Sequence, residues 1–231
     1  MKKNEVTICG KKCILYLNEN TEYILIQPVD ENDISVLDNE VKHIEENTDR
    51  NFSLVAFKIE DWNSELTPWE MPLLRGKGNF GDGAAGTLEF IKNELIPALS
   101  EYTNTENKEI KYILGGYSLA GLFSLWSGYQ TDIFEGIAAV SPSVWYKKWI
   151  EYVEVEKPLS EKIYLSLGDT EEKTKHQILS KIGENIRKQH EILEKSENVK
   201  TVLEWNEGNH FKNPDIRTAK GFLWVMNKQG I

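Results

Sequence analysis

The chain has 231 residues, 40% of them hydrophobic, and carries 27 Lys and Arg against 37 Asp and Glu, a formal charge of −10. That length suits one domain, 1–231, which on folding buries roughly 70% of the surface of the unfolded chain. An acidic surface repels phosphates and argues against nucleic acid, and no apolar run approaches the roughly 20 residues that span a bilayer. Met1-Lys2-Lys3-Asn4-Glu5-Val6 has a basic start with no apolar stretch behind it. A secretory signal is therefore not expected, and the reading is of a cytoplasmic protein.

In chain order, strands are expected over 6–9 and 12–17, joined near Cys9-Gly10-Lys11-Lys12-Cys13. The two cysteines are too few for a zinc site; they are expected to face each other across a hairpin, reduced in the cytosol. Tyr23 to Val29 reads as a third strand, closed by the polar run Asp30-Glu31-Asn32-Asp33. Ile34, Leu37, Val41 and Ile44 then fall at helical spacing. Phe52 to Ile59 is an apolar strand, followed by a loop rich in Trp, Pro and Gly to about Gly83. Leu88, Ile91, Leu95 and Leu99 mark a second helix, which Pro97 is expected to kink.

The alternation continues. Ile110 to Gly115 reads as a strand, and Leu119, Leu122, Phe123 and Trp126 as one face of a helix. Gly136 to Ser141 is a short strand, Trp145 to Tyr152 a short helix, and Lys162 to Leu167 a strand. Ile178, Leu179, Ile182, Ile186 and Leu193 mark a long helix, Val199 to Trp205 a strand, and Ile216 to Met226 the closing helix. No repeat or linker interrupts the series. Such alternation predicts an α/β protein with a mostly parallel sheet, antiparallel at its N-terminal strands and covered on both faces. Ligands are then expected beyond the carboxyl ends of the strands.

The most informative segment is Tyr112-Ile113-Leu114-Gly115-Gly116-Tyr117-Ser118-Leu119-Ala120-Gly121-Leu122. A strand enters Gly-x-Ser-x-Ala-Gly and a helix leaves it, nearly the Gly-x-Ser-x-Gly turn that exposes a nucleophilic serine. Ala120 stands where the second glycine belongs, and Gly121 follows it. The competing reading makes Ser118 a simple helix N-cap. A serine hydroxyl needs a base. Of the four histidines, His43 lies beside the apolar face of its helix, and His176 and His190 sit on the long helix among charges. His210 instead follows the last strand, in Asn206-Glu207-Gly208-Asn209-His210. The acid that orients it should follow strand 162–167, where Gly168-Asp169-Thr170-Glu171-Glu172 offers three carboxylates. Asp169 could cap the long helix with Glu172 as partner, which leaves Glu171 the more available, with Asp169 the alternative. The order serine, acid, histidine is that of the α/β-hydrolase fold. The oxyanion donors are expected at the backbone N–H of Leu119 and, after the third strand, of Asp30; the alternative is that the acidic run only caps a helix.

The chain resembles the esterase D-like branch of the α/β-hydrolases, which includes siderophore esterases, feruloyl esterases and mycolyltransferases. The resemblance runs from about Tyr23 to Met226. It is carried by Glu65-Leu66-Thr67-Pro68-Trp69, Glu94-Leu95-Ile96-Pro97, Gly116-Tyr117-Ser118-Leu119-Ala120-Gly121, Ser141-Pro142-Ser143-Val144-Trp145, Gly168-Asp169-Thr170-Glu171 and Gly208-Asn209-His210. In that branch the acid often comes three residues after the strand-ending glycine, which again implies Glu171. Siderophore esterases usually carry an Arg before the Glu-Leu-x-Pro stretch, where this chain has Trp62. With the −10 charge, this departure turns the expectation from an anionic ferric siderophore to an uncharged, small or medium ester. Trp62, Trp69 and Trp145 are expected at the mouth of the site, where aromatic walls suit an acyl or aryl group. Ser118, His210 and Glu171 are then expected to act as a catalytic triad through an acyl-enzyme, with no metal or organic cofactor. The alternatives are acyl transfer or thioester cleavage on the same residues, or a weakly catalytic binding module. The partner is a small-molecule ester, with no nucleic acid or membrane, and the chain is expected as a monomer or homodimer.

Overall fold

The computed structural model describes residues 1–103 and 109–227. Its centre is an eight-stranded sheet in the order β1-β2-β4-β3-β7-β8-β9-β10. β1 (Lys2–Ile8) and β2 (Lys11–Leu17) form an antiparallel hairpin at one edge, and β2 runs antiparallel to β4 (Phe52–Lys58). From β4 onward the sheet is parallel, through β3 (Tyr23–Val29), β7 (Lys111–Tyr117), β8 (Phe134–Val140), β9 (Lys162–Gly168) and β10 (Lys200–Asn206). The expected fold class is therefore observed: a mostly parallel sheet, antiparallel at its N-terminal strands, between helices.

The side-chain alternation of buried strands serves two cores. On one face, Leu25, Leu54, Ile113 and Ala138 pack against α1 (Glu31–Glu46) and α8 (Pro214–Met226), through Leu37, Val41, Ala219 and Phe222. On the other, Ile24, Val55, Leu114, Ile137 and Leu165 meet α3 (Ala84–Phe90), α5 (Leu119–Gln130), α6 (Trp149–Val155) and α7 (Ile182–Glu194). Each helix contributes a buried stripe: Leu88, Phe123, Trp149 and Ile186 are all under 4% exposed. Among the described residues, no helix is long and apolar enough to cross a membrane.

Several expectations are corrected. The hairpin turn is Cys9-Gly10, both with positive φ (46° and 85°), a conformation that suits a two-residue turn and that Gly10 adopts freely. Cys13 therefore lies opposite Val6 rather than Cys9; Cys13 is buried, Cys9 exposed, and both are free thiols. The loop after β4 holds a one-turn helix, α2 (Trp62–Glu65), and a small ribbon of β5 (Met71–Pro72) and β6 (Asn79–Phe80). The segment expected as one helix kinked at Pro97 is built of successive turns of different width. α3 widens into a π-helical turn, Ile91–Leu95, before α4 (Ile96–Ala98) and a 3-10 turn, Leu99–Glu101. A proline lacks an N–H and crowds the carbonyl one turn earlier; the wider turn accommodates both. α6 begins at Trp149, not Trp145, and α7 at Ile182 after a 3-10 turn, Leu179–Lys181. His176 consequently precedes α7, while His190 lies on it.

Candidate active site

Ser118 occupies the sharp turn between β7 and α5, with φ 60° and ψ −118°. That backbone is unfavourable for a residue with a Cβ, costs of order 1–3 kcal/mol and persists only where surrounding packing imposes it. The packing is tight because its neighbours are small. A Cβ on Gly116 would lie 2.6 Å from Ala120 Cβ, and one on Gly121 3.0 Å from the carbonyls of Gly116 and Val140. Ala120 is tolerated in place of glycine because position 116 has no side chain. Although Ser118 stands where an N-cap would, its hydroxyl makes no capping bond.

The hydroxyl points instead to His210. Ser118 Oγ lies 3.1 Å from His210 Nε2, and His210 Nδ1 lies 2.7 Å from Glu171 Oε2. Each residue follows its own parallel strand, β7, β9 and β10, so the three converge at one end of the sheet. The His210 side chain is 30% exposed, whereas that of Glu171 is 2% exposed. Burial opposes ionisation of Glu171. The hydrogen bond and charge of His210, the Gly168 N–H at 2.7 Å and the Ser141 hydroxyl at 2.8 Å outweigh it, holding the carboxyl below its ordinary value.

Asp169 does not cap α7. Its Oδ1 accepts from the Gly208 N–H at 2.8 Å, tying the loop after β9 to the loop that carries His210. The partner expected for it, Glu172, instead accepts from Nη1 and Nη2 of Arg187, at 2.9 and 2.8 Å.

Arg217, on α8, joins the site without any signal in the sequence. It is 2% exposed. Its Nη1 donates to Tyr117 Oη (3.0 Å) and Glu171 Oε1 (3.2 Å), and its Nη2 to the carbonyls of Glu207 (3.0 Å) and Asn209 (3.1 Å). The Tyr117 hydroxyl donates to the His210 carbonyl at 2.8 Å, and burial pushes that phenol up to about 12. One guanidinium thus anchors both the acid and the histidine loop. A single Arg on an amphipathic helix has no sequence signature; only its complete burial distinguishes it.

Leu119 is the first residue of α5, so its N–H has no carbonyl one turn earlier to bond within the helix. Asp30 differs from its expected role. Its side chain caps α1, accepting from Asn32 N (2.7 Å) and Asp33 N (2.9 Å), and its own N–H donates to Asp33 Oδ2 at 3.1 Å. The amide expected to face the oxyanion is committed to a capping box.

Ser118, Glu171 and His210 open into a cavity of about 360 Å³, also lined by Trp145, Leu179, Ile182 and Phe211. Phe211 is 84% exposed. Of the three expected tryptophans only Trp145 lines this cavity. Trp69 props the surrounding loop: its Nε1 donates to the Lys147 carbonyl at 2.8 Å, and its ring packs against Tyr146, Trp149 and Tyr152. Trp62 opens α2 and packs on the core. Among the described residues, no three His, Cys, Asp or Glu side chains are grouped so as to hold a metal ion.

Residues 40–210 match the family described as "Putative esterase". The chain belongs to that esterase family. A relative from Bacillus subtilis (strain 168), the uncharacterized protein YbbA, is 27% identical over 144 residues, covering 61% of this chain and 58% of that protein. The match thus spans less than two thirds of that relative's length. Similar solved structures include an IroE-like serine hydrolase from Shewanella oneidensis, with TM-score 0.78, 14% identity, and coverage of 96% of this chain and 79% of the other. The siderophore hydrolase EstB from Aspergillus nidulans has TM-score 0.73 and 14% identity, covering 100% and 96%. The enterobactin esterase FES from Shigella flexneri has TM-score 0.67 and 12% identity, covering 97% and 59%. At these identities the likeness establishes a shared fold.

Proposed function

We propose that this esterase-family protein is a serine hydrolase that cleaves a small or medium carboxylic ester through an acyl-enzyme. The observation that carries the reading is the unbroken chain from Ser118 Oγ to His210 Nε2 and from His210 Nδ1 to Glu171 Oε2, at 3.1 and 2.7 Å. Ser118 attacks the ester carbonyl while His210 takes its proton. The N–H of Leu119 faces the developing oxyanion. His210 then returns the proton to the leaving alcohol, and water repeats the cycle on the acyl-serine. Glu171 keeps the imidazole in the correct orientation and stabilises its charged form. The apolar walls of Trp145 and Phe211 receive the organic part of the ester.

Reaction with a fluorophosphonate, followed by peptide mass spectrometry, is expected to give one adduct, on Ser118. Ser118→Ala and His210→Ala are each expected to lower turnover of a simple aryl ester by about 10⁴-fold or more. Near-wild-type turnover in either variant would sink the mechanism.

A further inference from the structure

We infer that the ester taken by this site is amphipathic: an apolar stem that ends in an anionic head, held outside the Ser118 cavity by Lys147, Lys148 and Lys175. This rests on the ester-hydrolase reading and names the class of substrate. Trp145 walls the Ser118 cavity on one side and, on the other, lines a larger groove of about 1080 Å³. The groove has apolar walls, including Met71, Leu73, Tyr146, Ile150 and Ile178. Ile178, at 43% exposed, is one of the few large apolar side chains left open to water.

Five lysines line the same groove: Lys147, Lys148, Lys175, Lys181 and Lys188. Two are already neutralised, Lys181 by Glu184 at 2.8 Å and Lys188 by Glu154. Lys147, Lys148 and Lys175 form no ion pair among the described residues and are exposed. In a chain with ten more acids than bases, three uncommitted cations against one such acid, Glu151, in the groove that shares Trp145 with the Ser118 cavity are the reverse of the global balance. They favour an anion at this place while the rest of the surface repels one.

The backbone that carries two of these lysines is pinned. The Tyr146 hydroxyl donates to the Trp69 carbonyl at 2.6 Å, and Trp69 Nε1 to the Lys147 carbonyl at 2.8 Å. Lys148 sits in the left-handed region, φ 65° and ψ 8°, at the start of α6. A lysine has no intrinsic reason to adopt that conformation, so the surrounding contacts impose it. The points where Lys147 and Lys148 leave the backbone are therefore set against the groove. The expectation of an uncharged ester is revised for the far end of the molecule only: the Ser118 cavity carries a single lysine, Lys173, beside Trp145, Leu179 and Phe211, whereas the groove beyond Trp145 gathers the three unpaired ones.

The test compares neutral esters with anionic twins of equal length: octyl acetate with 8-acetoxyoctanoate, and p-nitrophenyl octanoate with the p-nitrophenyl monoester of suberate. The charge lies on the alcohol side in the first pair and on the acyl side in the second. The expected result is that, in at least one pair, the anionic member has kcat/KM about tenfold above its twin, chiefly through KM. Three screened surface contacts supply a preference of that order. The preference should collapse towards one in about 0.5 M NaCl, because screening weakens exposed charges. It should collapse likewise in the Lys147→Gln/Lys148→Gln/Lys175→Gln variant, and persist in Lys92→Gln, which lies outside the groove. Cleavage of the neutral esters with no anionic preference, or a preference that the triple variant leaves intact, whatever salt does to it, overturns the inference and leaves the esterase reading standing. If the wild type cleaves none of the four, that reading fails instead. Calorimetric binding of monoethyl suberate to Ser118→Ala then decides the groove alone: salt-sensitive binding lost in the triple-lysine background supports it, and no such binding overturns it.

Discussion

Arg217 shows how much a single side chain can hold. Its guanidinium satisfies acceptors from β7, the loop after β9 and the loop after β10, so one side chain joins three segments distant in the chain. Arg217→Met would leave Glu171 partly uncompensated and the Glu207 carbonyl without its donor, while the Asn209 carbonyl keeps only the Lys212 N–H. Breaking a buried pair in this way costs about 3–5 kcal/mol, which denaturant unfolding measures. Arg217→Lys keeps the charge but cannot span all four acceptors. It is expected to fold, to lose roughly tenfold in kcat with KM little changed, and to move the acid limb of the pH–rate profile, since the contacts that orient His210 are loosened. Unchanged kcat and pH profile in Arg217→Lys would reduce Arg217 to a purely structural role.

At the scale of elements, the turn from β7 into α5 is where local sequence and close packing meet. The helix can pass beneath the end of β8 only because Gly121 has no side chain against Val140 O and Pro142 Cα. Gly121→Val must push the helix away from those backbone atoms. It is expected to cost about 2 kcal/mol or more and to abolish reaction of Ser118 with a fluorophosphonate. Alanine at 120 meets no such barrier, so the near-miss in the motif has a local explanation. The strand and helix order was legible because periodicity reports which face is buried. The starts of α6 and α7 were not: Trp145 and Ile178 are apolar residues at helical spacing that lie outside their helices, beside a groove. Periodicity cannot distinguish a side chain facing the core from one facing a cavity. The π-helical turn before Pro97 was equally hidden, because a proline in a helical pattern signals a disturbance without saying what form of turn absorbs it.

For the whole molecule, two sets of carboxylates, wholly or partly buried, pull stability in opposite directions with pH. Glu40 on α1 is 2% exposed, and burial pushes its carboxyl well above the ordinary range, with Asp33 and Asp215 adding in the same direction. Gln27 of β3 is its one polar partner among the described residues, at 3.4 Å. Burial also pushes Asp33 up to about 6. Groups raised in the folded state bind protons more tightly there than in the unfolded chain. Their contribution is therefore fully present below their ordinary carboxylate values and is lost as pH rises through the folded values. Glu171 is lowered, so its contribution has the other sign, present at neutral pH and lost as pH falls. Glu40→Gln removes the group that must ionise in the interior. By urea unfolding it is expected to be more stable than the wild type by roughly 1–3 kcal/mol near pH 8, with the gap closing towards pH 4. An equal gap at both pH values would refute the assignment of Glu40 as a buried, raised acid.

The sequence by itself determined the layered α/β architecture and the pairing of Ser118 with His210. It also favoured Glu171 among three neighbouring carboxylates. Strand periodicity, the glycine-flanked serine and the placement of each residue after its own strand are local properties that survive without knowledge of the fold. Tertiary structure alone decided the rest: that Asp169 bridges two loops, that the Asp30 amide serves a helix cap, that Trp69 is a prop, and that Arg217 anchors the site. It also set three lysines, unpaired among the described residues, along the groove that Trp145 lines. Each of these depends on which segments distant in the chain become neighbours, and hydrogen-bond partners and charge neighbours across such distances leave no period or spacing to read.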